Sequence, residues 1–126
     1  MYRIIFYEKE DGVSDTWVFL EKLRIASTAN KDARIQYNQV LLYIQLLAEN
    51  GTRLPANITK HITDGIWELR PGKNRIFYFF FQNDTFVLLH TFRKKTQKTP
   101  KHEIEKAISE RKDYLIRKDH GDENME

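Results

Sequence analysis

The chain has 126 residues, enough for one domain, with 40% hydrophobic and 31% charged residues, as in ordinary soluble globular proteins. It contains no cysteine, which excludes a disulfide framework, a thiolate metal site and a cysteine nucleophile. Its formal net charge of +3 permits nucleic-acid binding without requiring it. No apolar run approaches the roughly 20 residues that span a bilayer, and the N-terminus lacks signal-peptide features, so we expect a cytoplasmic protein without membrane contact.

The first half of the chain predicts one strand followed by two helices. Residues 2–7 are β-branched and aromatic, which is typical of a strand. Ser14 is suited to cap a short helix, and Asn30 and Gly51 are suited to begin and end a longer one. Apolar residues recur at helical spacing along the longer helix, at Ala33, Tyr37, Val40, Leu41, Ile44, Leu47 and Ala48.

A second, partial apolar stripe lies on another face of the long helix, at Ile35, Leu42 and Leu46. Two interpretations stay open. The helix is packed on two sides, or part of this stripe contacts a partner protein.

The second half of the chain changes to a strand period. Short turn signals at residues 64–65, 71–74 and 83–84 separate four strand-like segments, at residues 57–62, 66–70, 75–81 and 85–92. Turns of this length join antiparallel neighbours, so we expect a β-meander.

A last helix is predicted to begin at Thr99-Pro100, and its apolar positions Ile104, Ala107 and Leu115 repeat at helical spacing. Residues 118–126 carry no apolar pattern, and we expect them to form a disordered acidic tail after a single domain of residues 1–117. The order of elements predicts an α+β fold, in which two N-terminal helices and a C-terminal helix pack on an antiparallel sheet.

Positive charge is concentrated in the meander and the loop after it. Residues 60–101 balance to +6, residues 1–59 to zero and residues 118–126 to −3. If a hairpin joins Arg70 to Arg75, both guanidiniums lie at one end of the sheet, which the segment 93–98 also reaches. Because arginine binds phosphate bidentately, this cluster predicts an anion site such as an RNA or DNA backbone would fill. A solvated basic rim without a ligand is the alternative.

The four histidines, at positions 61, 90, 102 and 120, lack metal-ligand spacing, so we expect neither a metal site nor another cofactor. Metal-free RNA cleavage needs a base for the 2′-hydroxyl, cations for the charged transition state and an acid for the leaving oxygen. Arginine, lysine and histidine side chains can supply this set. His90 and His61 are candidates for the acid or the base, with simple packing in a strand as the alternative.

Four segments then stand in a characteristic order and spacing: Trp67-Glu68-Leu69-Arg70, Arg75-Ile76-Phe77-Tyr78, the run from Leu88 to Thr96, and Thr99-Pro100 before a helix with Glu103, Ile104 and Ala107. Together they resemble the RelE/ParE superfamily, and most of all its phage-derived, HigB-like branch of toxins from type II toxin–antitoxin systems. The resemblance covers about residues 2 to 115, and the central block is its most specific part.

This resemblance implies a compact α+β fold and a ribosome-dependent, metal-independent endoribonuclease that cuts mRNA and thereby inhibits translation. It implies neutralisation by a cognate helix-turn-helix antitoxin of the HigA type, with operator DNA bound only through the complex of the two proteins. Two alternatives stay open. One is a ParE-like toxin that inhibits DNA gyrase, and the other is a non-enzymatic module that binds nucleic acid.

The resemblance also implies roles for individual residues. Arg75 matches the arginine that is thought to stabilise phosphate in the transition state, and Arg70 matches a basic position at the end of the preceding strand. Lys94 and Lys95 match basic residues after the final strand. With the histidine of that strand, the predicted catalytic set is Arg70, Arg75, His90, Lys94 and Lys95. The residues predicted to bind RNA around it are Lys60, His61, Lys73, Arg93 and Lys98.

The sequence departs from the RelE pattern at the positions two and four residues before Arg70. RelE-type enzymes carry lysines there, whereas this chain carries Glu68 and Ile66. The tyrosine that RelE-type enzymes carry early in the last helix also has no counterpart. Three interpretations therefore stay open: His90 or His61 is the general base, or Glu68 pairs with an arginine and holds it in place.

Overall fold

A computed structural model describes the backbone of residues 1–124 and the side chains of residues 1–119. Within these residues the chain forms an α+β fold of five strands and three helices, which confirms the fold class predicted from the sequence. In chain order the elements are β1 (Arg3–Phe6), α1 (Asp15–Ala26), α2 (Lys31–Asn50), β2 (Thr59–Thr63), β3 (Ile66–Leu69), β4 (Asn74–Phe81), β5 (Thr85–Arg93) and α3 (Lys101–Asn124). No helix in the described part of the chain is long and apolar enough to cross a membrane.

The five strands form one sheet in the order β1-β5-β4-β3-β2. Strands β2 to β5 are the antiparallel meander that the turn signals predict. Strand β1, however, lies parallel to β5, with Arg3 opposite Thr85 and Phe6 opposite Leu88. The sheet is therefore mixed rather than wholly antiparallel. A parallel pair needs a long crossover, and here the intervening chain includes both N-terminal helices.

Helices cover both faces of the sheet, so the central strand β4 is buried on both sides. Ile76 and Tyr78 pack with Leu47 of α2 on one face. Phe77 and Phe79 pack under α3 on the other face. Alternate residues of β4 thus belong to two separate hydrophobic clusters, as strand geometry requires.

The predicted helix caps are confirmed. Ser14 Oγ accepts a hydrogen bond from Trp17 N, and Asn30 Oδ1 accepts one from Ala33 N. Gly51 ends α2 with a φ of 61°, which glycine adopts without strain. These contacts fix where α1 and α2 begin and where α2 turns back toward the sheet.

The two apolar stripes of α2 have different environments. Val40 and Leu47 of the first stripe are fully buried. In the second stripe, Ile35 is 56% and Leu42 is 51% exposed, while Leu46 is half-buried. The interpretation that α2 is packed on two sides is therefore wrong at Ile35 and Leu42.

Helix α3 continues to Asn124, whereas the sequence predicts a disordered tail from Lys118. Once a helix is nucleated, each further residue adds a backbone hydrogen bond, so it can extend past its last apolar contact. Residues 125 and 126 of the expected tail lie outside the described residues.

An irregularity in the pairing of β4 with β5 changes which way His90 faces. Ile76 pairs with Thr91 and Tyr78 with Leu88, so the single residue Phe77 faces two residues of β5. This is the pattern of a β-bulge, which breaks the alternation of side chains along the bulged strand. His90 consequently contacts α3, although simple alternation from Leu88 would place it on the opposite face.

The packing of α2 on the sheet can be tested with one substitution made at two sites. Leu47→Ala should lower the free energy of unfolding by about 2–5 kcal/mol, because Leu47 is fully buried and its truncation leaves a cavity. Leu42→Ala on the same helix is the matched control and should change it by less than about 0.5 kcal/mol, because Leu42 is half exposed. Urea denaturation measures both, and equal effects would contradict the described orientation of α2.

Candidate functional site

Two adjacent grooves lie at the end of the sheet where the chain leaves β5. The basic loop, residues 94–100, contributes lining residues to both. The large groove has a volume of about 720 Å³, and its charged lining residues are Lys73, Arg75, Arg93, Lys94 and Lys95. The small groove has a volume of about 260 Å³, and its charged or titratable lining residues are Lys60, His61, Glu68, Arg70, Lys94 and Lys98. Lys94 lines both grooves.

Nine of the ten predicted site residues therefore line one of these grooves, and only His90 lies elsewhere. The meander explains this convergence. The turn between β3 and β4 and the end of β5 are neighbours, and the backbone N of Lys94 donates to the carbonyl of Lys73 at 2.7 Å. Arg93 Nη1 also donates to Asn74 Oδ1 at 3.2 Å, which ties the last residue of β5 to the first of β4.

Arg75 is held in the large groove by the backbone of the preceding turn. Its Nη1 donates to the carbonyl oxygens of Gly72 at 2.7 Å and Asn74 at 2.8 Å. Gly72 has a φ of 62°, a conformation that favours glycine. Burial lowers the pKa of Arg75, although a guanidinium stays charged in proteins. The result is a fixed positive charge with little conformational freedom.

Glu68 is a buried carboxylate between two arginines. Its Oε1 lies 3.5 Å from Arg70 Nε and 3.9 Å from Arg75 Nε. Neither Nε makes a hydrogen bond to a group that the structure describes, so these contacts are ion pairs without hydrogen-bond geometry. Thr99 Oγ1 donates to Glu68 Oε2 at 3.5 Å. The interpretation that Glu68 pairs with an arginine is confirmed.

The electrostatic balance at Glu68 is between burial and four cations. Burial raises the pKa of this carboxyl, while Arg75, Arg70, Lys94 and Lys60 lower it, and the net direction is upward. Arg70 is held independently, since its Nη1 donates to the carbonyl of Ala56 at 2.7 Å. The carboxylate therefore partly neutralises the cations. The cations in turn offset only part of the free-energy cost of removing the carboxylate from water.

His61 lies on the edge strand β2 and is exposed to solvent. Its ring meets the Trp67 ring edge to face, with centroids 5.2 Å apart. Because His61 lines the small groove beside Arg70 and Lys98, it is an accessible imidazole next to the basic cluster.

His90 is buried, with 1% of its surface exposed, and faces α3 instead of the grooves. Its ring nitrogens lie 2.5 Å from Glu110 Oε1 and 3.2 Å from Glu103 Oε1. The bulge in β5 and the helix above it explain why the position of His90 in the strand does not bring its ring into either groove.

Sequence reasoning missed Glu103, Glu110 and Thr99 as polar partners. The two glutamates flank Ala107, which is a buried residue of α3. Their spacing of seven residues, centred near an apolar position, was the signal that they face the sheet rather than solvent.

The large groove is suited to bind an anion. Its charged lining side chains are all cationic, and one of them is fixed by backbone carbonyls. Among the described residues, no group of three or more histidine, aspartate or glutamate side chains is arranged to hold a metal ion.

The sequence profile of a family described as phage derived protein Gp49-like (DUF891) matches residues 28–112. This span begins just before α2, ends within α3 and includes every predicted site residue. No curated protein matches the chain.

Glu68→Gln tests the buried carboxylate. Because burial raises the pKa of Glu68, the folded state binds its proton more tightly than the unfolded state does. Stability from the protonated carboxyl is fully present below the unfolded pKa and is lost as pH rises through the folded pKa. The free energy of unfolding of the wild type should therefore increase, relative to that of Glu68→Gln, as pH falls through this range. Urea denaturation of both proteins at matched pH values measures the difference, and a pH-independent difference would contradict it.

Proposed function

The chain belongs to the Gp49-like family of phage-derived, toxin-like proteins, and we propose that it is the toxin of a type II toxin–antitoxin pair that cuts mRNA on the ribosome. Membership of this family supports the assignment of the protein as a toxin. It also implies in general that the protein has an antitoxin as a partner. The observation that carries the finer proposal is the convergence of Arg75, Lys94 and Lys95 on one groove.

In this proposal the large groove binds the phosphodiester that is cut. Arg75 supplies a guanidinium whose position is set before substrate arrives, because two backbone carbonyls already hold it. Lys94 and Lys95 supply two further positive charges from the basic loop. Preorganised cations of this kind stabilise charge that develops in a transition state, because they need no reorganisation during the reaction.

The proposed reaction is attack of an RNA 2′-oxygen on the adjacent phosphorus. A general base takes the 2′-hydroxyl proton, the bond from phosphorus to the 5′-oxygen breaks, and a general acid protonates that leaving oxygen. The products are a 2′,3′-cyclic phosphate and a 5′-hydroxyl. Arg75 and the lysines stabilise the additional negative charge on the phosphate oxygens.

We assign the acid or base role to His61 rather than His90. His61 is exposed in the small groove, which shares Lys94 with the large groove. Both ring nitrogens of His90 already contact carboxylates in the interior. Glu68 serves in this scheme to orient Arg70 and Arg75.

The proposed partners are the ribosome with its mRNA, and a cognate antitoxin of the HigA type that binds operator DNA in complex with the toxin. Action on ribosomes gives the protein a cytoplasmic location. A small helix-turn-helix protein encoded next to this chain would support the pairing.

A second function, nucleic-acid binding without cleavage, is favoured by one observation. The lining of the large groove contains neither a carboxylate nor an imidazole. A groove of this composition binds phosphate but offers no group that titrates near neutrality for proton transfer.

Arg75→Ala should lower the rate of mRNA cleavage by about 10²–10³-fold, because it removes a preorganised donor to the charged transition state. Mapping of RNA 5′ ends in a translating extract supplied with purified protein measures this. Arg24→Ala is the matched control, since Arg24 is exposed on α1 and pairs with Glu21. No cleavage by the wild type in any ribosome-containing reaction would sink the ribonuclease proposal.

Lysine substitutions test the binding step that both functions share. Lys95→Ala should reduce the dependence of RNA affinity on salt, lowering the slope of log K against log salt by about 0.7, the value for one phosphate contact to a single strand. Lys22→Ala, an exposed lysine of α1, is the control and should leave the slope unchanged. Titration of a fluorescent oligoribonucleotide at several salt concentrations gives both slopes. Equal slopes for Lys95→Ala and the wild type would remove Lys95 from the binding site.

A further inference from the structure

His90 forms a buried polar cluster with two glutamates of α3, outside both grooves. Nδ1 lies 2.5 Å from Glu110 Oε1, and Nε2 lies 3.2 Å from Glu103 Oε1. His90 and Glu110 are buried, and the side chain of Glu103 is 18% exposed. The ring also packs against Phe77, with centroids 5.2 Å apart. This cluster takes no part in the reaction scheme, so its purpose needs another explanation.

The number of protons on the His90 ring determines which hydrogen bonds this cluster can form. A neutral imidazole has one N–H and one bare nitrogen, whereas ionised carboxylates only accept hydrogen bonds. Both contacts can be hydrogen bonds to two ionised glutamates only if the ring carries two protons and a positive charge, whereas a neutral ring requires one protonated glutamate. That charge also compensates two carboxylates that are withdrawn from solvent on one helix face.

The cluster is placed to act on the basic loop. Glu103 and Glu110 are two helical turns apart, and Glu103 lies in the first turn of α3. Thr99, four residues before Glu103, donates to Glu68 at the small groove. The other end of the loop is held by the bond from Lys94 N to the Lys73 carbonyl. The position of the C-terminal end of the loop therefore depends on how the first turns of α3 are attached to the sheet.

We propose that His90 is a positioning residue, which as an imidazolium fastens the first three turns of α3 to β5 and thereby fixes the basic loop. Its effect on RNA rests on the proposed function. Its charge state and its effect on loop order are properties of the protein without RNA, so they can be tested separately.

The charge state is tested by nitrogen NMR of the full chain at neutral pH, with the histidine rings labelled with ¹⁵N. His90, assigned by its loss in His90→Gln, should give the pattern of a ring with both nitrogens protonated. A pattern with a single protonated nitrogen would overturn the proposal.

Loop order is tested by amide hydrogen exchange in Glu103→Gln and His90→Gln. Exchange of the Lys94 and Ile104 amides, which donate to the carbonyls of Lys73 and Pro100 at the two ends of the loop, should accelerate by about tenfold or more, since a hydrogen bond to a charged group is lost where the loop meets α3. Amides of β4 should keep their wild-type rates. Glu105→Gln is the matched control, because Glu105 lies on the same helix with a side chain that is 63% exposed.

Two exchange results would overturn the proposal. One is unchanged exchange in the loop of both variants. The other is equal acceleration in the loop and in β4, because that marks a general loss of stability rather than positioning.

Cleavage measurements then separate this proposal from the proposed function. If the wild type cuts mRNA, Glu103→Gln should cut more slowly than Glu105→Gln. If the wild type does not cut, the ribonuclease proposal fails, while the NMR and exchange results still decide the role of His90.

Discussion

The arrangement of the basic site depends on the ion pairs that the buried carboxylate of Glu68 makes with Arg70 and Arg75. Without it, the guanidiniums of Arg70 and Arg75 would face each other at one end of the sheet and repel. With it, the Nε of each arginine has an ion-pair partner. Thr99, near the C-terminal end of the basic loop, donates a hydrogen bond to the same carboxylate. Burial of Glu68 costs desolvation free energy, which the nearby cations offset only in part. The site therefore combines concentrated positive charge with a defined geometry.

Local sequence signals predicted most of the meander and the convergence of basic residues at one end of the sheet. Turn lengths fixed the neighbours of each antiparallel strand, and neighbouring strands bring Arg70, Arg75 and the basic loop to one end. The same signals carry no information about the partner of β1, because parallel pairing with β5 depends on contacts far apart in sequence. They also left the environment of the second stripe of α2 open, since exposure of Ile35 and Leu42 depends on what the rest of the chain covers.

His90 shows a different limit of sequence reasoning. Alternation along β5 assumes a regular ladder, but one extra residue opposite Phe77 turns the histidine toward α3. Glu103 and Glu110 then become its partners, and strand alternation alone does not predict this pairing. The polar interior of this protein therefore depends on the register of two strands, which a single sequence does not reveal.

The turn before β4 limits which sequence changes the site can tolerate. Arg75 is held by the carbonyl oxygens of Gly72 and Asn74, so its position depends on the path of the backbone as well as on the ion pair with Glu68. Replacement of Lys73 alters charge but leaves those carbonyls in place. A side chain at position 72 strains a positive φ, and its Cβ would lie 2.9 Å from the Gln39 side chain. Arg75 can thus keep its position while the charges around it change, provided that Gly72 is retained.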